Sequence, residues 1–262
     1  MGSATTQALA ASTDALAAAS GLDLGSAAEL FAASRAIGES AQLSGALADP
    51  AAPAAARAAL VSAVFAGVST PVRTLLTTVS AQRWSSASDL IDGIEELAIR
   101  TAAKAASGDD VAGELFGFSR VVAANPELEL ALGSRLGDAS AKGALVEKVL
   151  DGAASPAAVL IASSLVRNPR ERRVRQVLGR AIDIVAAQSG RTVATVYTAA
   201  ALTAQQQTRL RDVLARRYGG EISINQVIDA TVVGGLRVQI ADDVIDGSIS
   251  ARLADLRQKL AS

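Results

Sequence analysis

The chain has 262 residues, a net charge of −1 and neither cysteine nor histidine. The missing residue types exclude disulfides, zinc–thiolate sites, cysteine nucleophiles and histidine acid–base catalysis. A net charge so close to zero also provides no overall field that would attract nucleic acid or an anionic membrane.

Alanine accounts for much of the apolar content. Half of the residues are hydrophobic, but only 3% are aromatic. Alanine is the best helix former because it loses no side-chain entropy on entering a helix. We therefore expect a mainly helical chain in which the few large apolar residues form the core.

Neither a signal peptide nor a membrane span is expected. The first twenty residues lack a basic region and contain Asp14, unlike a secretory signal. A spanning helix needs about 20 apolar residues in a row. The nearest approach, residues 149–166, is interrupted by Asp151, Gly152 and Pro156.

In the first part of the chain, helix boundaries follow from proline, glycine and capping residues. After Pro50 and Pro53, a helix is predicted from about Ala54 to Phe65, where Gly67 ends it. Ser69-Thr70-Pro71 starts another, with a hydroxyl before a first-turn proline. A long helix is predicted from about residue 86 to 106, and a counterpart from about 171 to 188.

An internal repeat with a spacing of 85 residues links these helices. Glu29-Leu30-Phe31 aligns with Glu114-Leu115-Phe116, and Gly67 and Pro71 align with Gly152 and Pro156. From 29 to 84, 17 of 56 aligned pairs are identical, and only four of the 17 are alanine pairs. We interpret this as a helical unit that has been duplicated. Two copies are too few for a solenoid.

The pattern changes at Gly190. Residues 191–199 alternate and are rich in β-branched side chains, which is typical of a strand. A helix follows at 203–218, then strands at 221–227 and 236–241, and Asp246-Gly247-Ser248 starts a last helix. The first two strands can be parallel through the helix, and the last two are expected to be antiparallel.

The predicted fold is therefore mainly α, with two tandem small helical bundles followed by a small α/β domain of order strand–helix–strand–strand–helix. The predicted boundaries are 1–106, 107–190 and 191–262.

No motif in the sequence indicates catalysis, and we predict no catalytic residue, cofactor or metal site. Gly234-Gly235 precedes a strand rather than a helix, and no glycine in the chain is followed by lysine. A turn or bulge that needs positive φ is therefore favoured over a phosphate loop. Three acidic pairs are expected on solvated surface, because adjacent side chains point apart. They are Glu95-Glu96, Asp109-Asp110 and Asp242-Asp243.

Arginines are concentrated between residues 167 and 191, where seven of them accompany only Glu171 and Asp183. Three interpretations are open: a solvated helix face, a surface for an acidic protein partner, or a nucleic-acid site. The absence of interleaved aromatic residues disfavours nucleic acid. The candidate partner surface consists of Arg167, Arg170, Arg172, Arg173 and Arg175.

The C-terminal block resembles the signature of the ATP synthase delta subunit family, whose mitochondrial relative is the oligomycin-sensitivity-conferring protein. The residues that carry the resemblance best are Asp229, Gly234, Gly235, Ile240, Asp246, Ser248 and Leu253. Ala230 departs from the proline usual in the family. The additional length of about one repeat and the ratio of 21 Arg to 4 Lys suggest an actinobacterial form with a duplicated N-terminal region.

The resemblance implies a non-catalytic subunit of the peripheral stalk. Such subunits bind the N-terminal helices of alpha subunits through the helical part and the b subunit through the C-terminal part. They carry no cofactor or nucleic acid, and they associate with the cytoplasmic side of the cell membrane only through the complex. The alternative is a helical regulatory or nucleic-acid-binding protein that uses the arginines of 167–191.

Overall fold

A computed structural model of the chain describes residues 2–134, 137–170, 172–240 and 243–249. The chain forms two compact units, Met1–Val185 and Ala186–Ser262. The described part of the first unit is helical, and the second contains a small mixed sheet with one long helix. The predicted fold class is therefore confirmed. The finer division of the helical part at residue 106 stays a prediction.

Eleven helices lie in the described residues up to Gln188, and most begin after a capping residue or a proline. Their bounds are α1 Ser3–Ala18, α2 Leu24–Glu39, α3 Ala41–Ala48, α4 Ala54–Val64, α5 Thr70–Ala81, α6 Ala87–Ala105, α7 Val111–Ala124, α8 Pro126–Gly133, α9 Ala139–Leu150, α10 Pro156–Arg167 and α11 Val174–Gln188.

Helices in the first unit recur at the spacing of the sequence repeat. Both α3 and α4 start 85 residues before their counterparts α8 and α9. A hydrogen bond between helices also recurs, with the glutamates 85 and the serines 86 residues apart: the Ser69 hydroxyl donates to Glu29 at 2.6 Å, and the Ser155 hydroxyl donates to Glu114 at 2.5 Å. Ser155 also caps its own helix, α10. At the start of α5 the N-cap residue Ser69 makes no side-chain capping bond, so the capping hydroxyl predicted within Ser69-Thr70-Pro71 is wrong.

Helix α6 lies at the centre of the helical unit, in contact with α1, α2, α3, α5 and α10. Ser86 caps its start and Lys104 lies in its last turn, both favourable for a helix. Leu90 and Leu97 are completely buried. Gly93 allows the Trp84 ring to approach, since a Cβ at this position would lie 2.2 Å from the ring atom Cη2.

The second unit contains β1 Arg191–Thr198, α12 Ala204–Tyr218, β2 Glu221–Ile228, β3 Leu236–Ile240 and β4 Asp243–Asp246. Thr203 and Gln206 form a capping box that starts α12. The strands lie in the order β2-β1-β3-β4, with β1 parallel to β2 and β3 antiparallel to both of its neighbours. One face of the sheet packs with Leu214 of α12, and Ala194, Val196 and Ile240 belong to that core.

The sheet differs from the prediction in two respects. β3 runs opposite to β2 as expected, but β1 lies between them. β4 was not predicted, because two of its four residues, Asp243 and Asp246, are disfavoured in strands. The last predicted helix lies almost entirely outside the described residues, as does the signature residue Leu253.

Candidate functional site

The two glycines of the family signature lie in a tight turn between β2 and β3. Gly234 and Gly235 have φ values of 64° and 83°, a conformation that strains any residue with a Cβ. A Cβ on Gly235 would lie 2.5 Å from the carbonyl oxygen of Gly247, which is backbone and cannot move aside. The prediction that the double glycine is a turn requiring positive φ is therefore confirmed.

The segment after β4 docks onto this turn through backbone hydrogen bonds. The amide of Gly247 donates to the carbonyl of Leu236 at 2.9 Å, and the amide of Ile249 donates to the carbonyl of Val233 at 3.2 Å. Ser248 is 3% exposed. The chain beyond β4 therefore begins from a fixed position.

The two signature carboxylates are held by short local hydrogen bonds. Thr231 donates its hydroxyl to Asp229 at 2.6 Å and its amide at 2.9 Å. These bonds lower the pKa of Asp229, and hydrogen bonds from Ser248 lower the pKa of Asp246. Both groups are ionised at neutral pH, because bonds to the charged form favour it.

Arg237 lies between the two carboxylates, and sequence reasoning missed its role. Its guanidinium is 4.0 Å from Asp229, and Asp246 is its cross-strand partner. The ring centroid of Tyr197 lies 4.5 Å from the guanidinium carbon, within the range of a cation–π contact. The available clue was its place on the polar face of β3. Ile240, by contrast, is a core residue, 4% exposed.

The arginine cluster pairs largely with carboxylates of α6. Arg170 binds Asp92 and Glu95, and Arg172 binds Glu95 at 2.9 Å. Glu96 lies 3.3 Å from Arg180. Glu95 and Glu96 are only 7% and 6% exposed, so the expectation that this acidic pair lies on solvated surface is wrong.

Two more of the predicted partner-surface arginines have intramolecular partners. Arg167 binds Glu147 at 2.7 Å, and Arg175 binds Glu129 at 3.0 Å. Arg173 is exposed and makes no ion pair with any described residue. The local excess of positive charge counted along the sequence is therefore largely neutralised by carboxylates from other helices, which removes the main support for nucleic-acid binding.

The described residues contain no group of three or more acidic side chains placed to hold a metal ion. Within the same ranges, no helix has the length and apolar character required to cross a membrane.

Comparisons with known proteins agree on one family. The profile of the family described as ATP synthase delta (OSCP) subunit matches residues 97–260, starting inside α6. A protein named "ATP synthase subunit delta" from Leifsonia xyli subsp. xyli is 50% identical over 263 residues, covering 100% of both chains. Proteins of the same name from Streptomyces avermitilis and Nocardia farcinica are 39% and 40% identical, covering 82% and 89% of this chain and 81% and 88% of theirs.

The profile covers well over half of the chain, and the relatives also extend over the helices that precede it. Together with the signature turn, these matches show that the chain belongs to the ATP synthase delta (OSCP) subunit family, the non-catalytic subunits of the enzyme's peripheral stalk.

Proposed function

We propose that this chain joins the catalytic head of ATP synthase to the b subunit of the stalk, so that the head resists the torque of the rotor. The helical unit binds N-terminal helices of alpha subunits, and the C-terminal unit binds the end of b. The chain is held at the cytoplasmic side of the cell membrane as a peripheral component, through the complex.

The signature turn is the observation that carries this proposal. It combines two glycines in a positive-φ conformation that other residues rarely adopt, backbone bonds to the segment after β4, and two ionised carboxylates around Arg237. None of these features suits acid–base chemistry at neutral pH, because the carboxylates are stabilised in their charged form. All of them restrict the direction of the chain, as an attachment that must resist torque requires.

A helical unit rich in small residues suits the other attachment. Amphipathic helices bind in grooves between helices through apolar anchors, without titratable chemistry. Small side chains also let the helices of the unit pack closely on one another, as Gly93, Ala98 and Ala102 do where they are buried along α6.

The test is co-purification of alpha and b subunits with the complete chain. We expect Gly235→Val to lose b and retain alpha, because the new side chain collides with the backbone of Gly247. The matched control is Gly219→Val, which has a similar φ of 75° but no described atom within 4 Å of the added Cβ. Retention of b at the parental level by the Gly235 variant would contradict the proposal.

A further inference from the structure

A cleft of about 840 Å³ opens in the helical unit between α8, the start of α9 and the turn from α10 to α11. Its wall includes Leu130, which is 76% exposed, and the side chains of Lys142 and Arg173. Large exposed apolar side chains next to a cleft are typical of a binding surface.

Lys142 is a buried cation that has no carboxylate partner among the described residues. It is 8% exposed, and among the described residues its ammonium has one acceptor, the carbonyl of Ser134. An ammonium has three donors, and a buried charge is costly unless it is paired. Gly137 makes room for the lysine stem, since a Cβ there would lie 2.8 Å from its Cε atom.

The residue 85 positions earlier has two backbone acceptors instead of one. Arg57 is also buried, at 7% exposure, but its guanidinium donates to the carbonyls of Gln82 and Ala81 at 2.9 and 3.2 Å. Those carbonyls end α5, where the helix dipole also favours a cation. Lys142 has no second acceptor of this kind in the described part of the chain.

The other cations of the cleft leave further positive charge unmatched. Arg170 and Arg172 are paired with α6, and Arg167 is paired with Glu147. Arg173 has no described partner. Glu39 and Glu129 are the acidic lining residues, and Glu129 already binds Arg175. Glu39 makes no ion pair with a described residue, so two unpaired cations, Lys142 and Arg173, face one unpaired carboxylate in the cleft.

We propose that this cleft binds an acidic amphipathic segment of a neighbouring subunit in the assembled ATP synthase. Carboxylates of that segment pair with Lys142 and Arg173, and an apolar side chain packs on Leu130. Charge complementarity of this kind gives an interface its specificity. The proposal rests on the chain being part of the stalk, but it is separate from the attachments of alpha helices and b proposed above.

The test places the photoreactive residue benzoylphenylalanine at position 130 of the full chain in purified, assembled ATP synthase. We expect a cross-link to a segment of another subunit with an excess of Asp and Glu. In the double variant Lys142→Met with Arg173→Gln, the cross-link yield should fall about tenfold, as expected when a charge-assisted contact is lost. The control double variant is Lys148→Met with Arg120→Gln, which changes the same charges at exposed positions of the same unit.

Four outcomes would overturn the proposal: no cross-link to another subunit, a cross-link to a segment without acidic residues, a cross-link to nucleic acid, or a yield that the double variant leaves unchanged. Replacing Lys142 could affect folding, so the single variant Arg173→Gln, which changes only an exposed side chain, is measured as well. Its cross-link yield should also fall. Thermal midpoints within about 3 °C of the parent confirm intact variants. If alpha and b still co-purify while the cross-link is absent, this proposal fails and the adaptor role stands.

Discussion

The helical unit contains two regions, α1–α6 and α6–α11, whose helices α2–α6 and α7–α11 start 85 to 87 residues apart. The two regions pack against α6 in different ways. In the first region, the chain after α5 inserts Trp84, 4% exposed, against Gly93 of α6. In the second region, the chain after α10 places Arg170 and Arg172 against Asp92 and Glu95 of the same helix. The chain after α5 is therefore held against α6 by apolar burial, and the chain after α10 is held against it by ion pairs. These contacts are called the apolar closure and the ion-pair closure.

The two kinds of closure respond differently to solution conditions. Burial of an indole is insensitive to moderate salt, whereas partly exposed ion pairs weaken as ions screen them. Arg170 also has a positive φ of 48°, an unfavourable conformation for a residue with a Cβ, which its two carboxylate partners hold in place. The second closure is therefore the one that salt should loosen.

The largest expected effect is on the apolar closure. Trp84→Ala should lower the free energy of unfolding by about 3–5 kcal/mol, because it leaves a cavity and removes the hydrogen bond from Nε1 to the carbonyl of Val79. Urea titration of the full chain followed by circular dichroism measures this loss. The loss should be the same at low and high salt. A strong salt dependence would contradict the view that apolar burial holds this region against α6.

The ion-pair closure should give a smaller and salt-dependent effect. Glu95→Gln removes a carboxylate shared by Arg170 and Arg172, and we expect a loss of about 2–3 kcal/mol at low salt. Glu147→Gln is the control: its pair with Arg167 is more exposed and should contribute about 0.5 kcal/mol or less. Equal losses in the two variants would show that the α6 pairs do not close the region.

The same change, glycine to alanine, is expected to have opposite effects on stability in α6 and in α11. Gly93→Ala should destabilise by about 1–3 kcal/mol, because the added Cβ collides with Trp84. Gly179→Ala meets no described atom within 4 Å and should stabilise by up to about 1 kcal/mol through helix propensity. Thermal unfolding of both variants gives the two signs, and a neutral Gly93→Ala would be incompatible with the packing of Trp84.

The serine–glutamate ties should behave alike in the two regions. Glu29→Gln and Glu114→Gln each weaken hydrogen bonds to a serine hydroxyl and amide, with an expected cost of about 1 kcal/mol. Paired urea titrations compare them. If one variant were destabilised and the other unchanged, the two ties would not be equivalent.

The smallest effect concerns acid stability of the first region. Hydrogen bonds from Ser26 lower the pKa of Asp23, which caps α2. A lowered folded-state pKa contributes stability above the unfolded value near 3.8 that is lost as pH falls through the folded value. Asp23→Asn keeps a good cap, so stability at pH 7 should change little while its decline below about pH 4 becomes shallower. An unchanged acid profile would exclude this contribution.

Local patterns predicted much of the helical unit. The prolines and glycines around α4 and α5 place real helix boundaries, because their backbone restrictions act within a few residues. The same locality explains the failures. The carboxylate partners of Arg170 and Arg172 lie 75 to 78 residues away in sequence, so counting neighbours overestimated the free charge.

In the C-terminal unit, Gly234-Gly235 predicted the turn because positive φ is a local property. Arg237 could not be assigned to its two carboxylates, because Asp229 and Asp246 meet it only through the pairing of β3 with β4 and the turn before β3. That pairing depends on β4, whose composition gives little strand signal.

Helix α6 belongs to both regions of the helical unit, and this affects how the two regions could be separated. Two bundles joined by a loop would offer a protease a site to cut and a pivot about which one bundle could swing. Here the joining element is a 19-residue helix, about 28 Å long and buried along most of its length. We therefore expect a force applied to α1, α2, α3 or α5 to pass into α10 through α6, which contacts all of these helices.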